Sequence, residues 1–549
     1  MKALLSGKTS RRASDHTALV RGLDTHTVGY RYDALGRRSD LVYPDKTKVS
    51  YDYDARNRLT TVDTNAPAPQ GPRQTPLASY GYDALGRIDK LTRDNGVNTT
   101  YTYDMAGQLT DITHKNGGTV LARSAYTLDV LGRRTSQTRE DGIAETYGYD
   151  ATSQLTSADY GAQSPLAKTA APVTRETFAY DALGNRTQVA RVIPNAPSQS
   201  ATYTANSLNQ YTRITGSGPA TSTFQPSTPQ YDANGNLIND GKQSYRYDAQ
   251  NRLVSVETLS VGGTLRPDSV KAEFAYDARN RAILRKYYSL SAGSQWVLNS
   301  GYSLALTYDT AWNVLAERTP NGTQIGEYIH GQRIDEILSA SLKAYNLPLT
   351  TYYPLADGLG SVVALTNNKG KIAERYRYSA YGRPAALPDS YQPTGPSDST
   401  YRFLFTGREW LGRVGLNEHR NRYYSEGSGR WLSGDPIGFN SGSDNLYSYG
   451  SNSPQNFTDP LGLMTTDEWV VFWQTLLGVP MGPVSGLGKT LAELAADPCL
   501  NVGLHLAYYQ TQKTNCYTKA CNSDAYSECD RQFDPKISTL RNVFQANCN

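Results

Sequence analysis

The chain has 549 residues, 38% of them hydrophobic and 19% charged, with a net charge of +4 at pH 7. So small a charge, with Lys/Arg and Asp/Glu interleaved, argues against a nucleic-acid-binding surface, because no basic stripe is present. The six histidines (His16, His26, His114, His330, His419, His505) show no pairing at ligand spacing, so neither a metal site nor a cofactor is expected.

Residues 1–29 precede the first recognisable unit, and the apolar part of Met1-Lys2-Ala3-Leu4-Leu5-Ser6-Gly7 is too short for a secretory signal. From residue 30 a Tyr-Asp pair recurs, followed by Gly or Asn and usually a basic residue. Copies include Tyr32-Asp33-Ala34-Leu35-Gly36-Arg37, Tyr53-Asp54-Ala55-Arg56-Asn57-Arg58 and Tyr82-Asp83-Ala84-Leu85-Gly86-Arg87. The unit returns as far as Tyr276-Asp277-Ala278-Arg279-Asn280-Arg281. An internal repeat makes the chain an array of stacked units.

Each copy reads as a β-hairpin. Asp opens the turn and can accept bonds from the following backbone. The fourth position needs positive φ, and Gly36, Asn57, Gly86, Gly107, Gly132, Gly184, Gly235, Asn251 and Asn280 supply it. Ahead of the turn, Tyr-x-Tyr (Tyr51/Tyr53, Tyr80/Tyr82, Tyr147/Tyr149, Tyr245/Tyr247) puts two rings on one strand face; Leu59, Leu155 and Leu253 resume that face after it. Asp150 with Ser153, and Asp309 with Trp312-Asn313, depart from the rule, so the sequence marks those turns less clearly. Pro/Ser/Thr/Gly-rich stretches at 64–78, 160–175, 190–201 and 215–230 read as loops on one rim. The expected product is one continuous antiparallel sheet with turns along an edge. With 41 Tyr against 10 Phe, its inner face keeps hydroxyls that need partners, which favours a hollow with a partly polar lining.

Residues 351–463 carry a second set of motifs: Tyr352-Tyr353-Pro354, Asp357-Gly358-Leu359-Gly360 and Tyr378-Ser379-Ala380-Tyr381-Gly382-Arg383. Then come Asn421-Arg422-Tyr423-Tyr424, Gly429-Arg430-Trp431, Asp435-Pro436-Ile437-Gly438 and, ending the region, Asp459-Pro460-Leu461-Gly462-Leu463. The Tyr-Asp repeats resemble the YD repeats of bacterial Rhs and Tc-toxin C-component shells, related to those of animal teneurins, and residues 401–463 resemble the Rhs-associated core. The resemblance covers roughly residues 30–463. It implies a mainly β fold: a coiled array of hairpins forming a hollow, partial or closed shell (30–350), a core that plugs it (351–463), and a variable effector (464–549) held inside. It further implies self-cleavage between Leu463 and Met464, carried by Asp435 and Asp459. Two carboxylates in one dry pocket can share a proton and divide base and acid work; the plainer alternative is that Asp-Pro-x-Gly is only a good turn. Gly434 stands where many relatives carry a polar or basic residue, and Arg430 is the nearest substitute helper.

The tail differs in kind. All five cysteines lie in it: Cys499, Cys516, Cys521, Cys529 and Cys548. Thr466-Asp467-Glu468 ahead of Trp469, Phe472, Trp473, Leu476 and Leu477 predicts a capped amphipathic helix, and a second helix is expected from about Leu487 to Ala495. Gly482 to Thr490 imitates a phosphate loop with one residue too many. Residues 469–488 are apolar but broken by Pro480 and Pro483, which leaves open a membrane-surface role rather than a span. Cys516, Cys521, Cys529 and Cys548 are the candidate disulfide cysteines, and their spacing faintly resembles secreted phospholipase A2 without its catalytic pair. The partners implied are the chain's own effector, an immunity protein and a secretion machinery. The implied location is a bacterial protein made in the cytoplasm and exported or displayed. An adhesive or carbohydrate-binding surface protein, uncut and with an outward aromatic face, is the alternative from another class.

Overall fold

The structure, a computed structural model, describes residues 27–65, 76–163, 174–217, 226–259, 265, 268–291, 294–343, 349–387, 401–441 and 443–463. The expected tail helices, the phosphate-loop imitation, Met464 and all five cysteines lie outside these residues, as do most of the stretches 64–78 and 160–175 and half of 215–230. In the fourth stretch, strands Arg186–Val192 and Gln199–Ala205 leave only residues 193–198 as a loop.

The turn of each repeat is built by its aspartate. In the first, Gly36 N–H donates to the Asp33 carbonyl at 3.0 Å and Asp33 N–H donates to Arg37 O at 2.8 Å. Asp33 Oδ1 accepts from Leu35 N and Arg37 N, both at 2.9 Å, and Oδ2 accepts from Arg37 Nε at 2.6 Å. Gly36 takes φ +76° and the register slips beside Tyr32, as a type I turn with a bulge requires. Ser153 (φ +67°) and Trp312 (φ +61°), which depart from the Gly/Asn rule, adopt the same turn. The reason is visible at Asp150, whose Oδ1 takes Thr152 N and Gln154 N at 2.9 Å. These bonds offset the roughly 1–2 kcal/mol that a side chain costs in the left-handed region.

The basic residue after the turn joins one repeat to the next. Arg58 pairs with its own Asp54 at 2.6 Å while its guanidinium lies 4.3 Å from the Tyr82 ring centre; Arg87 repeats this on Tyr103 at 4.3 Å. The phenol then closes the join. Tyr82 OH donates to Leu59 O (2.6 Å), Tyr103 to Ile88 O (2.8 Å), Tyr149 to Arg134 O (2.7 Å) and Tyr276 to Leu253 O (2.5 Å). In each case the acceptor is the first strand residue after the preceding turn. The second tyrosine of each pair thus finds its partner in the backbone of the preceding hairpin, whereas the first turns to a carboxylate: Tyr80 to Glu336, Tyr147 to Glu145 and Tyr245 to Asp240.

Hairpins follow one another in strict sequence order, but in two sheets of 16 and 14 strands rather than one. Ahead of the second sheet, Ser227 bridges to Ile214 of the first through two bonds of 2.8 and 2.9 Å. Pro226 and Pro229 flank Ser227 and have no N–H to give a ladder, so pairing stops there. The second sheet winds back against the first: Leu41, Tyr51, Val62 and Leu91 pack with Leu315, Ile329, Leu338 and Tyr353. Its strands run on to Leu387. Residues 401–432 fill the concave side, where Leu411, Leu416, Tyr423 and Leu432 meet Phe274 and Tyr287. The result, among the described residues, is a mainly β fold of coiled hairpins with a mixed interior: Arg93, His114, Arg285 and Glu317 are buried in it beside the rings. At one rim, among turn ends, a cavity of about 830 Å³ remains.

Candidate functional site

The site is assembled on a small four-stranded sheet, Glu409–Leu411, Leu416–His419, Arg422–Ser425 and Arg430–Trp431. His419 pairs with Arg422, leaving Arg420 and Asn421 as a two-residue turn with Arg420 at φ +65°. That strain is held from outside: Asp335 binds Arg420 Nη2 at 2.7 Å, and Glu418 Oε1 accepts from Arg420 N at 2.7 Å.

Along this turn lies the end of the described chain. His419 Nδ1 donates to Asp459 O (2.7 Å), Arg420 Nη1 to Pro460 O (2.5 Å), Asn421 Nδ2 to Leu461 O (2.9 Å) and Arg422 Nε to Gly462 O (2.5 Å). Four consecutive residues thus bind four consecutive carbonyls, each 40 positions on. His419 is held neutral, since burial and Arg408 push its imidazole well below the usual histidine range. It sits among Trp431, Tyr424 and Tyr449, with ring centres 5.1–5.9 Å away.

Both Asp-Pro-x-Gly segments are turns, in keeping with the plainer alternative. Asp435 Oδ1 accepts from Ile437 N at 3.0 Å, and Gly438 N donates to Asp435 O at 2.9 Å. Asp459 Oδ1 accepts from Leu463 N at 3.0 Å. The turns also bring the two carboxylates onto one guanidinium. Arg422 Nη2 lies 2.7 Å from Asp435 Oδ2 and 3.2 Å from Asp459 Oδ2, with all three side chains 3% exposed. Burial lowers the Arg422 pKa from its ordinary value, opposed first by Asp435 and then by Asp459. Trp431 covers the guanidinium at 4.2 Å. One buried base is thus shared between two acids.

Arg430, expected as the helper, is not part of this cluster. It bonds Asn209 O and Asn445 Oδ1 and stacks on Tyr211 at 4.0 Å, tying the segment to the repeat array. Its place beside the aspartates is taken by Arg422, which the sequence alone does not single out. Its one signal was its position in Asn421-Arg422-Tyr423-Tyr424. Leu463 is half-buried at the end of the clamp. Arg422, Asp435 and Pro436 also line the rim cavity, opposite Asn234, Asn251 and Asn280.

Similarity to known proteins places this geometry in a family. The family model described as Teneurin YD-shell matches residues 144–455, and the RHS Repeat model matches residues 82–119. The chain belongs to the YD-shell family. It is 27% identical over 307 residues to the tRNA3(Ser)-specific nuclease WapA of Bacillus spizizenii, covering 55% of this chain and 12% of that protein. It is 26% identical over 325 residues to Double-stranded DNA deaminase toxin A of Burkholderia cenocepacia (55% and 20%). With Toxin protein Tse5 of Pseudomonas aeruginosa it shares 24% over 340 residues (54% and 24%). This YD-shell chain therefore spans between 12% and 24% of the length of these relatives. Among solved structures, TcdB2-TccC3 superposes with a TM-score of 0.63 at 20% identity, over 84% of this chain and 23% of that one. The Photorhabdus luminescens Tc holotoxin pore gives 0.58 at 19% identity, over 84% and 22%. At those identities the likeness is one of fold.

Proposed function

We propose that this YD-shell chain belongs to a bacterial toxin carrier that cuts its own Leu463–Met464 bond and so frees residues 464–549 within the shell. The observation that carries this reading is the pair Asp435 and Asp459 converging on Arg422, at the point where the chain leaves the core. One carboxylate takes a proton from water as it adds to the Leu463 carbonyl. The other carboxyl gives a proton to the Met464 nitrogen as the C–N bond breaks. Fixed geometry supplies much of the rate in a site that turns over once, so ordinary carboxylates suffice. The relatives favour a carrier for a simple reason: proteins named for a tRNA nuclease, a DNA deaminase and a toxin match this chain over little more than half its length. That is the pattern of a common shell with differing ends. On this reading residues 30–350 are the shell, 351–463 the plug and 464–549 the effector. An immunity protein and a secretion machinery are its partners, and export or surface display is its fate.

Purified protein should run as two bands, the smaller beginning at Met464. Asp435→Asn and Asp459→Asn should each leave one full-length band while the shell still folds. A wild type that stays whole, or Asn variants that still split at Met464, would end the aspartyl assignment. Expression of 464–549 alone in bacterial cytoplasm, periplasm and membrane tests the effector, and unimpaired growth in all three would remove its support.

A further inference from the structure

We propose that the hairpin turn 419–422 selects the bond to be cut by position, reading four successive carbonyls and presenting whatever residue follows Gly462, with Arg422 as the positioning residue that couples this register to both aspartates. The proposal rests on the self-cleavage reading and adds what decides its site.

Three observations carry it. Each of the carbonyls of Asp459, Pro460, Leu461 and Gly462 is taken by the residue 40 positions earlier, so the pairing has one register and no slack. The four contacts are to backbone carbonyls, so none of them reads the side chain of the residue that follows Gly462. Gly462, at φ +68°, is pressed against the turn so closely that an added Cβ would stand 2.7 Å from His419 O. No residue can be slipped into the clamped stretch without breaking it. The last bond of the clamp and the two carboxylates share one side chain: Arg422 Nε holds Gly462 O while Nη2 reaches Asp435 and Asp459. The next carbonyl after Gly462 is that of Leu463, and the Leu463 amide is fixed by Asp459 Oδ1 at 3.0 Å. The reacting carbonyl is therefore placed by the clamp behind it rather than by a pocket for its own side chain.

The test uses the full chain with one alanine inserted between Gly462 and Leu463. Register by position requires cleavage after the inserted alanine, so the small fragment begins at Leu463 and gains the mass of one leucine. Leu463→Ala should be cut at its ordinary place. An insertion variant cut before Met464, or left whole while folded, overturns the proposal. A wild type that is not cut sinks the self-cleavage reading itself, so the two failures are distinct. For Arg422, the variants are Arg422→Ala and Arg422→Lys, read by cleavage half-time with and without added guanidinium ion. Arg422→Ala should slow about a hundredfold and recover in part with guanidinium, whereas Asp435→Asn should not recover. Cleavage of Arg422→Lys at the wild-type rate overturns the positioning role, and that variant decides the question if Arg422→Ala does not fold.

Discussion

Gly462→Ala perturbs the clamp while leaving Asp435, Asp459 and Arg422 in the chain. The added methyl group meets His419 O at 2.7 Å, Arg422 N at 3.0 Å and Arg422 Cβ at 3.2 Å, two of them backbone atoms that cannot swing aside. Reaching ordinary contact means opening the first distance to at least 3.4 Å, against carbonyl bonds of 2.5–2.9 Å on either side. The left-handed backbone adds about 1–2 kcal/mol, and each weakened bond about another 1 kcal/mol. A displacement approaching 1 Å at the reacting carbonyl costs roughly a hundredfold in rate. Gly438→Ala is the internal control: φ is also positive at +59°, but nothing lies within 4 Å of the new atom. It bears the conformational cost without the collision. Chains made in a cell-free pulse and followed on gels should give half-times about a hundredfold longer for Gly462→Ala and within about tenfold of wild type for Gly438→Ala. Equal half-times for Gly462→Ala and the wild type would refute the clamp as the placing element.

Removing Tyr103 OH (Tyr103→Phe) leaves Ile88 O without its 2.8 Å donor and should cost about 1 kcal/mol in urea unfolding. Glu409→Gln should be far worse, about 3–5 kcal/mol, because Arg285 is fully buried on it, and the double change Arg285→Met with Glu409→Leu should recover much of the loss. Stability should also be bounded on both sides in pH. Burial, then Asp45, pushes Glu327 up to about 8, and burial pushes Glu426 up to about 7; their contribution is complete below the ordinary carboxylate range and lost as pH rises through 7 and 8. Burial, then Arg93, pushes His114 down to about 3, so its contribution is present above pH 6.5 and lost as pH falls towards 3. Urea midpoints that climb steadily from pH 6 to pH 9 would contradict the carboxyl part.

The repeat was legible because it is written locally. An aspartate that binds its own turn, followed by Gly or Asn, specifies a hairpin within six residues, and its alternating Tyr-x-Tyr gives the face. Ser153 and Trp312 show the limit of that reading: once Asp150 or Asp309 has closed the turn, the left-handed position accepts residues that would not choose it. The break between the two sheets is also written in the chain, in Pro226 and Pro229, but a count of repeats hides it. What the repeat could not disclose is how its hydroxyls are satisfied. Tyr82 and Leu59 are 23 residues apart, and only the stacking of hairpins makes the acceptor carbonyl available.

At the site the aspartates were marked by their shared motif, whereas the arginine was not. Sequence neighbourhood points to Gly434 and then Arg430 as the place of a helper for Asp435. Arg430 points instead at Asn209 and Tyr211, and the charge arrives from Arg422 on the neighbouring hairpin. Sequence neighbourhood fails here for a physical reason. A guanidinium that must touch two carboxylates and a carbonyl on separate turns has to stand between those turns, on a strand crossing both. A residue adjacent to either aspartate is committed to that aspartate's own turn. With the cation supplied across the strand, the position before Asp435 carries no charge requirement. Gly434 fits there with room to spare, since a methyl group added to it would meet no atom closer than 3.9 Å. A glycine in that place is thus compatible with a complete charge set at Asp435 and Asp459.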